Sequence, residues 1–138
     1  MRKGHKMEAV GYFQAANNIV EKIIRTSKMD TSKMNEQEKQ IMGAFCFGAL
    51  NGYSLENRIS TVQIQSAMIT ILVKKLQYDP SVAAQFFDFL ARCTEKNYHP
   101  TMNAIIHRGI EGYYQLEDVD KLRENILDIY KMVKRYNK

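Results

Sequence analysis

The sequence has little of several residue types that would mark particular classes of protein. Its 138 residues include no tryptophan, two prolines, two cysteines and three histidines. So few prolines argue against a linker-rich or disordered chain. The cysteines, Cys46 and Cys93, each lie inside an apolar run, and neither has a second Cys or His at a zinc-ligand spacing. We therefore expect buried, reduced thiols and no metal site built on them.

Long apolar runs are also missing. The apolar stretch at residues 67–73, for example, is far shorter than the roughly 20 residues that a membrane-spanning helix needs. The basic N-terminus is not followed by the apolar segment of a secretory signal peptide. Without such segments, we expect a soluble protein that is located in the cytoplasm and not associated with a membrane. Because 45% of the residues are hydrophobic, the sequence also predicts one globular domain over residues 1–138.

Familiar catalytic motifs are absent as well. The sequence contains no glycine-rich phosphate loop, no Gly-x-Ser-x-Gly, no His-Glu-x-x-His and no Cys-x-x-Cys. No pair of carboxylates can be singled out for glycoside chemistry, because the acids cluster on one predicted helical surface. We therefore predict that the protein is not an enzyme and that it requires no cofactor.

The net charge of +5 is unevenly distributed. Residues 1–29 carry six basic and two acidic side chains, and residues 129–138 carry four basic and no acidic ones. These ends sum to +8, so residues 30–128 sum to −3. Residues 1–6 are predicted to be a basic N-terminal extension. A small helical nucleic-acid-binding regulator is the alternative function that the basic ends allow, but the acidic middle of the chain argues against nucleic acid as a partner.

The spacing of apolar residues predicts an all-α fold, a compact bundle of about six helices without strands. The first helix is predicted to span roughly residues 7–28, and a polar, turn-like segment follows it. The remaining helices are predicted to span about residues 36–51 (or as far as 56), 60–77, 80–94, 100–115 and 118–136.

Capping residues mark several of the predicted helix starts. Asn35 followed by Glu38, and Ser60 followed by Gln63, match the capping box, in which two free backbone N–H groups are satisfied reciprocally. Proline at the first position of a helix sacrifices no hydrogen bond, so the Asp79-Pro80 and His99-Pro100 pairs indicate two further starts. His99 is thus expected at or near the cap of the fifth helix.

Glycines interrupt the second predicted helix, which contains Gly43, Gly48 and Gly52 among large aromatic residues. Each glycine costs about 1 kcal/mol relative to alanine inside a helix. Gly48 and Gly52 lie one turn apart, so we expect them to let the backbone of another helix approach closely. The alternative is that this gap admits a loop of a partner.

The fifth predicted helix carries an apolar and a polar row side by side. The buried stripe is predicted to consist of Met102, Ile106, Ile110 and Tyr113 or Tyr114. The polar row, spaced by four residues and flanked by Arg108, consists of Asn103, His107, Glu111 and Gln115. Such a row indicates a binding surface, although the same pattern occurs in a helix whose histidine is satisfied by a neighbour. His99, His107 and Glu111 could together ligate a metal only if the helix stayed regular through Pro100, and we predict no metal site.

Acidic residues dominate the segment between Glu111 and Asp128, which contains six acids and only two bases. An acidic surface of this kind repels phosphate and attracts a basic partner. The alternative is an ordinary solvated helix face.

Two segments carry a resemblance to a known family. Residues 98–113 (YHPTMNAIIHRGIEGY) and 43–48 (GAFCFG) resemble the immunity protein 48 family of bacterial polymorphic toxin systems, over about residues 35–116. The resemblance implies a small cytoplasmic protein that binds one cognate toxin domain tightly and blocks it. Such proteins are often encoded beside an effector delivered by type VI secretion or a related contact-dependent system.

The polar row and the acidic segment are the expected toxin-binding residues on this interpretation. His107, together with Gly109, could instead maintain the fold. The predicted partner-binding residues are Asn103, His107, Arg108, Glu111, Tyr114, Glu117, Asp118 and Asp120.

Overall fold

A computed structural model describes the backbone of residues 4–136 and the side chains of residues 11–134. Within this range the chain forms six α-helices and no strand, which confirms the all-α prediction. The predicted basic extension falls partly outside the described residues, since only residues 4–6 of it are described, in the first helix. The helices are α1 (Gly4–Ser27), α2 (Glu36–Asn57), α3 (Thr61–Leu76), α4 (Pro80–Arg92), α5 (Pro100–Tyr113) and α6 (Val119–Tyr136).

Both predicted capping boxes are present. The Asn35 side chain accepts a hydrogen bond from the Glu38 backbone N–H at 2.8 Å, and the Glu38 carboxylate accepts one from the Asn35 N–H at 3.0 Å. Ser60 and Gln63 make the equivalent pair at the start of α3. Pro80 occupies the first turn of α4, but Asp79 makes no side-chain capping bond. Local sequence therefore sets where these helices begin.

Helix α2 is the centre of the molecule. Every residue from 41 to 50 is buried, and the helix packs against α1, α3, α5 and α6. A helix that is apolar on all sides gains most when neighbours surround it completely. The glycines and alanines of this stretch have small side chains or none, so four neighbouring helices can pack closely on α2.

Helices α2 and α5 run parallel and touch along their backbones. A Cβ atom on Gly48 would collide with the Ile106 carbonyl oxygen and lie 3.0 Å from the Gly109 Cα. A Cβ on Gly109 would collide in the same way with the Phe45 carbonyl oxygen. One turn further along, Gly52 faces the side chain of Tyr113. The predicted close approach at Gly48 is confirmed, and its partner is the glycine-bearing face of α5.

This contact also corrects the predicted buried stripe of α5. Ile110 is only half-buried, and Tyr114 is 61% exposed. Because the backbone of α5 lies directly against α2, the buried face of α5 is centred on Gly109 and Gly112. Ile110 and Tyr114 therefore lie at the edge of this face. The buried apolar positions are Met102, Ile105, Ile106, Gly109 and Gly112.

None of the described helices combines the length and the apolar character that crossing a bilayer would require.

Alanine at Gly48 should be strongly destabilising, because its methyl group would force two helix backbones apart. Overpacking of this kind costs roughly 3 kcal/mol, which thermal and chemical denaturation of the Gly48→Ala variant would measure. At Gly11 in α1, no atom apart from the local backbone of the helix and the adjoining residues lies within 4 Å of the place that a methyl group would occupy. Gly11→Ala is therefore the matched control and should gain up to about 1 kcal/mol. Equal stability of the two variants would contradict the backbone contact.

Both cysteines are buried, as predicted. Burial raises the pKa of the Cys46 thiol to about 12 and that of Cys93 to about 11. Because the thiolate is the reactive form, neither cysteine should be alkylated in the native protein at about pH 8, whereas both should react in denaturant. Labelling of the native protein followed by intact mass spectrometry checks this. Rapid labelling of either thiol without unfolding would show that its side chain is accessible.

Candidate functional site

The predicted polar row of α5 does not lie on one surface. Asn103 is only 6% exposed, and its Nδ2 donates to the carbonyl oxygens of Cys93 at 2.9 Å and Thr94 at 3.2 Å. The amide therefore ties the end of α4 to α5, where the chain leaves a helix and its carbonyls lack partners. Asn103 stabilises this connection and presents almost no surface to a partner.

The two histidines of this region have different surroundings. His99 caps α5 as predicted, since its Nδ1 accepts a hydrogen bond from the Met102 N–H at 3.2 Å. His107 is exposed, and its Nδ1 lies 2.9 Å from the Asn103 carbonyl oxygen, which can only accept a hydrogen bond. Nδ1 of His107 therefore carries a proton. Among the described side chains, no three His, Cys, Asp or Glu residues are grouped closely enough to hold a metal ion.

Arg108 connects α5 to α6 through a buried amide. Its Nε donates to Asn125 Oδ1 at 2.7 Å and its terminal nitrogen to Asp128 Oδ2 at 3.0 Å. Asn125 is buried, and its Nδ2 donates to the Arg108 carbonyl oxygen and to Gln115 Oε1, each at 3.0 Å. A second carboxylate, that of Glu111, lies 3.6 Å from the guanidinium. The network satisfies both groups of the Asn125 amide and holds Arg108 in place.

An open groove of about 650 Å³ runs along this network between α5 and α6. Its lining is electrically balanced, with three acidic and three basic side chains. The charged residues of the groove are Glu111, Glu124, Asp128, Arg108, Lys121 and Lys131. Half of the six acids that suggested an acidic face therefore line a groove that contains an equal number of bases.

The other three acids lie at the end of the molecule, around the turn that joins α5 to α6. Glu117, Asp118 and Asp120 are all exposed, and Asp118 also accepts a hydrogen bond from the Lys121 N–H at 3.3 Å in the first turn of α6. Tyr114, at the end of α5, is exposed beside them. The acidic character predicted for the region is concentrated in this turn.

Residues of α2 contribute to the same end, and the sequence did not indicate them. Tyr113 donates its hydroxyl to Glu56 Oε1 at 2.8 Å. Burial, reinforced by the hydrogen bond to this carboxylate, raises the pKa of Tyr113 to about 12. Leu55, beside Glu56, is 76% exposed. Only the parallel packing of α2 on α5 brings these residues to the acidic turn, so no local pattern could have revealed them.

Loss of the Asn125 amide should uncouple α6 from α5. Asn125→Ala removes the side-chain donor to the Arg108 carbonyl oxygen and an acceptor from the guanidinium, which should cost about 2 kcal/mol of unfolding free energy. Asp128→Asn changes only the exposed partner of Arg108 and should cost about 0.5 kcal/mol or less. Urea denaturation of both variants tests this, and a larger effect at Asp128 would show that the surface pair dominates.

Comparison with known proteins places the chain in a family. The family model described as immunity protein 48 matches residues 12–134, and thus extends well beyond the segments that carry the resemblance. No curated protein and no solved structure matches. Because the matched region covers nearly the whole chain, including the groove and the acidic turn, the chain belongs to the immunity protein 48 family.

Proposed function

We propose that this protein binds one cognate bacterial toxin domain stoichiometrically and blocks its active site, thereby protecting the cell that makes it. The family membership supports a protein toxin as the partner. The observation that carries the mechanism is the acidic turn, residues 114–120, which is mostly exposed at one end of the buried helical core. In this proposal the protein acts in the cytoplasm on a toxin delivered by type VI secretion or a related contact-dependent system.

The chemistry of the acidic turn is suited to a protein that inhibits a toxin by occupying its active site. Exposed carboxylates accelerate the encounter with a basic cleft, because electrostatic steering raises the association rate. An aromatic side chain such as Tyr114 then contributes to a slow dissociation once water is excluded around it. A binding surface that is already ordered before the toxin binds loses little conformational entropy, which lowers the cost of association.

Capture and growth assays together test this proposal. The tagged full-length chain is incubated with a lysate of the producing bacterium, treated with nuclease and washed at high salt. The captured protein is then expressed alone, and with the immunity protein, in a susceptible bacterial host. We expect a single nuclease-resistant partner that arrests growth by itself, is harmless in the presence of this protein, and forms a complex of equal stoichiometry by light scattering.

The alternative of a nucleic-acid-binding regulator has a distinct outcome in the same assay. Binding through phosphate contacts weakens steeply as salt is raised, and captured proteins would disappear after nuclease treatment. That result, or a captured partner whose toxicity is unaffected by this protein, would contradict the proposed function.

A further inference from the structure

We propose that the toxin docks on the end of the bundle where α2 and α5 terminate and α3 and α6 begin, with a basic patch of the toxin facing it. This inference rests on the proposed function and specifies the surface and the chemistry of the partner. We name it the end surface. Its apolar centre is formed by Leu55, Val62, Tyr114 and Val119. Its acidic rim is formed by Glu56, Glu117, Asp118 and Asp120.

The topology brings these residues to the same end. Helices α2 and α5 are parallel, since Gly48 packs on Gly109 and Gly52 on Tyr113, so both helices end on the same side. The hydrogen bond from Tyr113 to Glu56 joins the two ends directly. Short connections, residues 58–60 and 114–118, then start α3 and α6 from the same place.

Exposed apolar side chains are concentrated here. Among the described residues seven large hydrophobic side chains are exposed, and four of them belong to the end surface. Single exposed hydrophobic residues are ordinary, whereas a group surrounded by polar residues indicates an interaction site. The four are Leu55 at 76%, Val62 at 73%, Tyr114 at 61% and Val119 at 46% exposure.

The exposed Tyr114 is the last in a series of four tyrosines whose rings contact one another. Ring centroids are separated by 5.8 Å between Tyr12 and Tyr53, by 5.9 Å between Tyr53 and Tyr113, and by 4.9 Å between Tyr113 and Tyr114. Tyr113 is further held by Glu56. Tyr114 therefore packs on a hydrogen-bonded neighbour, which reduces the side-chain freedom that it loses when a partner covers it.

The charge of the end surface selects a basic partner. Its rim has four carboxylates, and the bases beside them in the sequence are Arg58, in the α2–α3 connection, and Lys121, in the first turn of α6, which leaves a net charge of −2 for these six residues. The groove between α5 and α6 is balanced instead, and the chain as a whole is positive. The end surface thus combines concentrated negative charge with an apolar centre, which is the composition of a specific interface with a basic protein.

The first experiment removes the apolar centre. The double variant Leu55→Ala with Tyr114→Ala is compared with the wild type for binding to the purified toxin identified by capture, using surface plasmon resonance. Removing these two central side chains should lower the affinity about 30-fold or more, mostly through faster dissociation. The matched control is Val82→Ala with Tyr98→Ala, because those side chains are also exposed, at 42% and 50%, but lie on and after α4.

The second experiment removes the acidic rim without changing its shape. Four isosteric changes neutralise it while preserving the bond to Tyr113 and the cap of α6: Glu56→Gln, Glu117→Gln, Asp118→Asn and Asp120→Asn. Association should slow about 10-fold at low salt, and the difference should shrink at about 0.5 M salt. A control with equal charge change leaves the end surface intact: Asp79→Asn, Asp88→Asn, Glu95→Gln and Glu124→Gln.

The outcomes separate this inference from the function on which it rests. If the wild type neutralises the toxin and both end-surface variants bind it like their controls, the docking surface is wrong and the function stands. A loss of toxin binding only in a groove variant, Leu127→Ala with Lys131→Gln, would likewise overturn the inference in favour of docking at the groove. If the wild type neutralises no toxin, the function fails and the inference with it. Unchanged melting temperatures of all variants establish that folding is not the cause.

Discussion

The backbone contact between α2 and α5 is the constraint on which the rest of this structure depends. Gly48 and Gly109 meet where any side chain would collide with a carbonyl oxygen of the other helix. Two helices in such close contact have little freedom to slide or rotate, because each glycine fits only opposite its counterpart. The fully buried stretch of α2 extends this effect, since α1, α3 and α6 also pack on the same central helix.

The parallel direction of this contact accounts for the proposed binding surface. Two parallel helices end together, so Glu56 and Tyr113 become neighbours although 57 residues separate them in the chain. The short connections that follow leave exposed leucine, valine, tyrosine and carboxylate side chains at one end of the molecule. The buried core thus supports a surface whose apolar and acidic side chains are exposed, so that a partner can contact them.

The polar residues of α5 and α6 divide into two groups with different roles. Asn103, Arg108 and Asn125 are engaged in hydrogen bonds that join α4, α5 and α6. Glu117 and Asp120 are exposed in the turn, where carboxylates remain available to a basic partner. His107 and Glu111 lie between these groups, exposed but each close to a polar neighbour of its own helix. Their contribution to binding remains a prediction.

The sequence alone determined the helical class, the two capping boxes, the histidine cap of α5 and the need for close packing at Gly48, because these depend on residues within a few turns of one another. Family-specific residues in two segments also indicated an immunity protein. Tertiary structure decided which helix meets Gly48, which acids are balanced by bases, and that Leu55 and Glu56 lie beside Tyr113 and Tyr114. Those features depend on the direction and register of helices that are distant in the chain, and local periodicity contains no information about either.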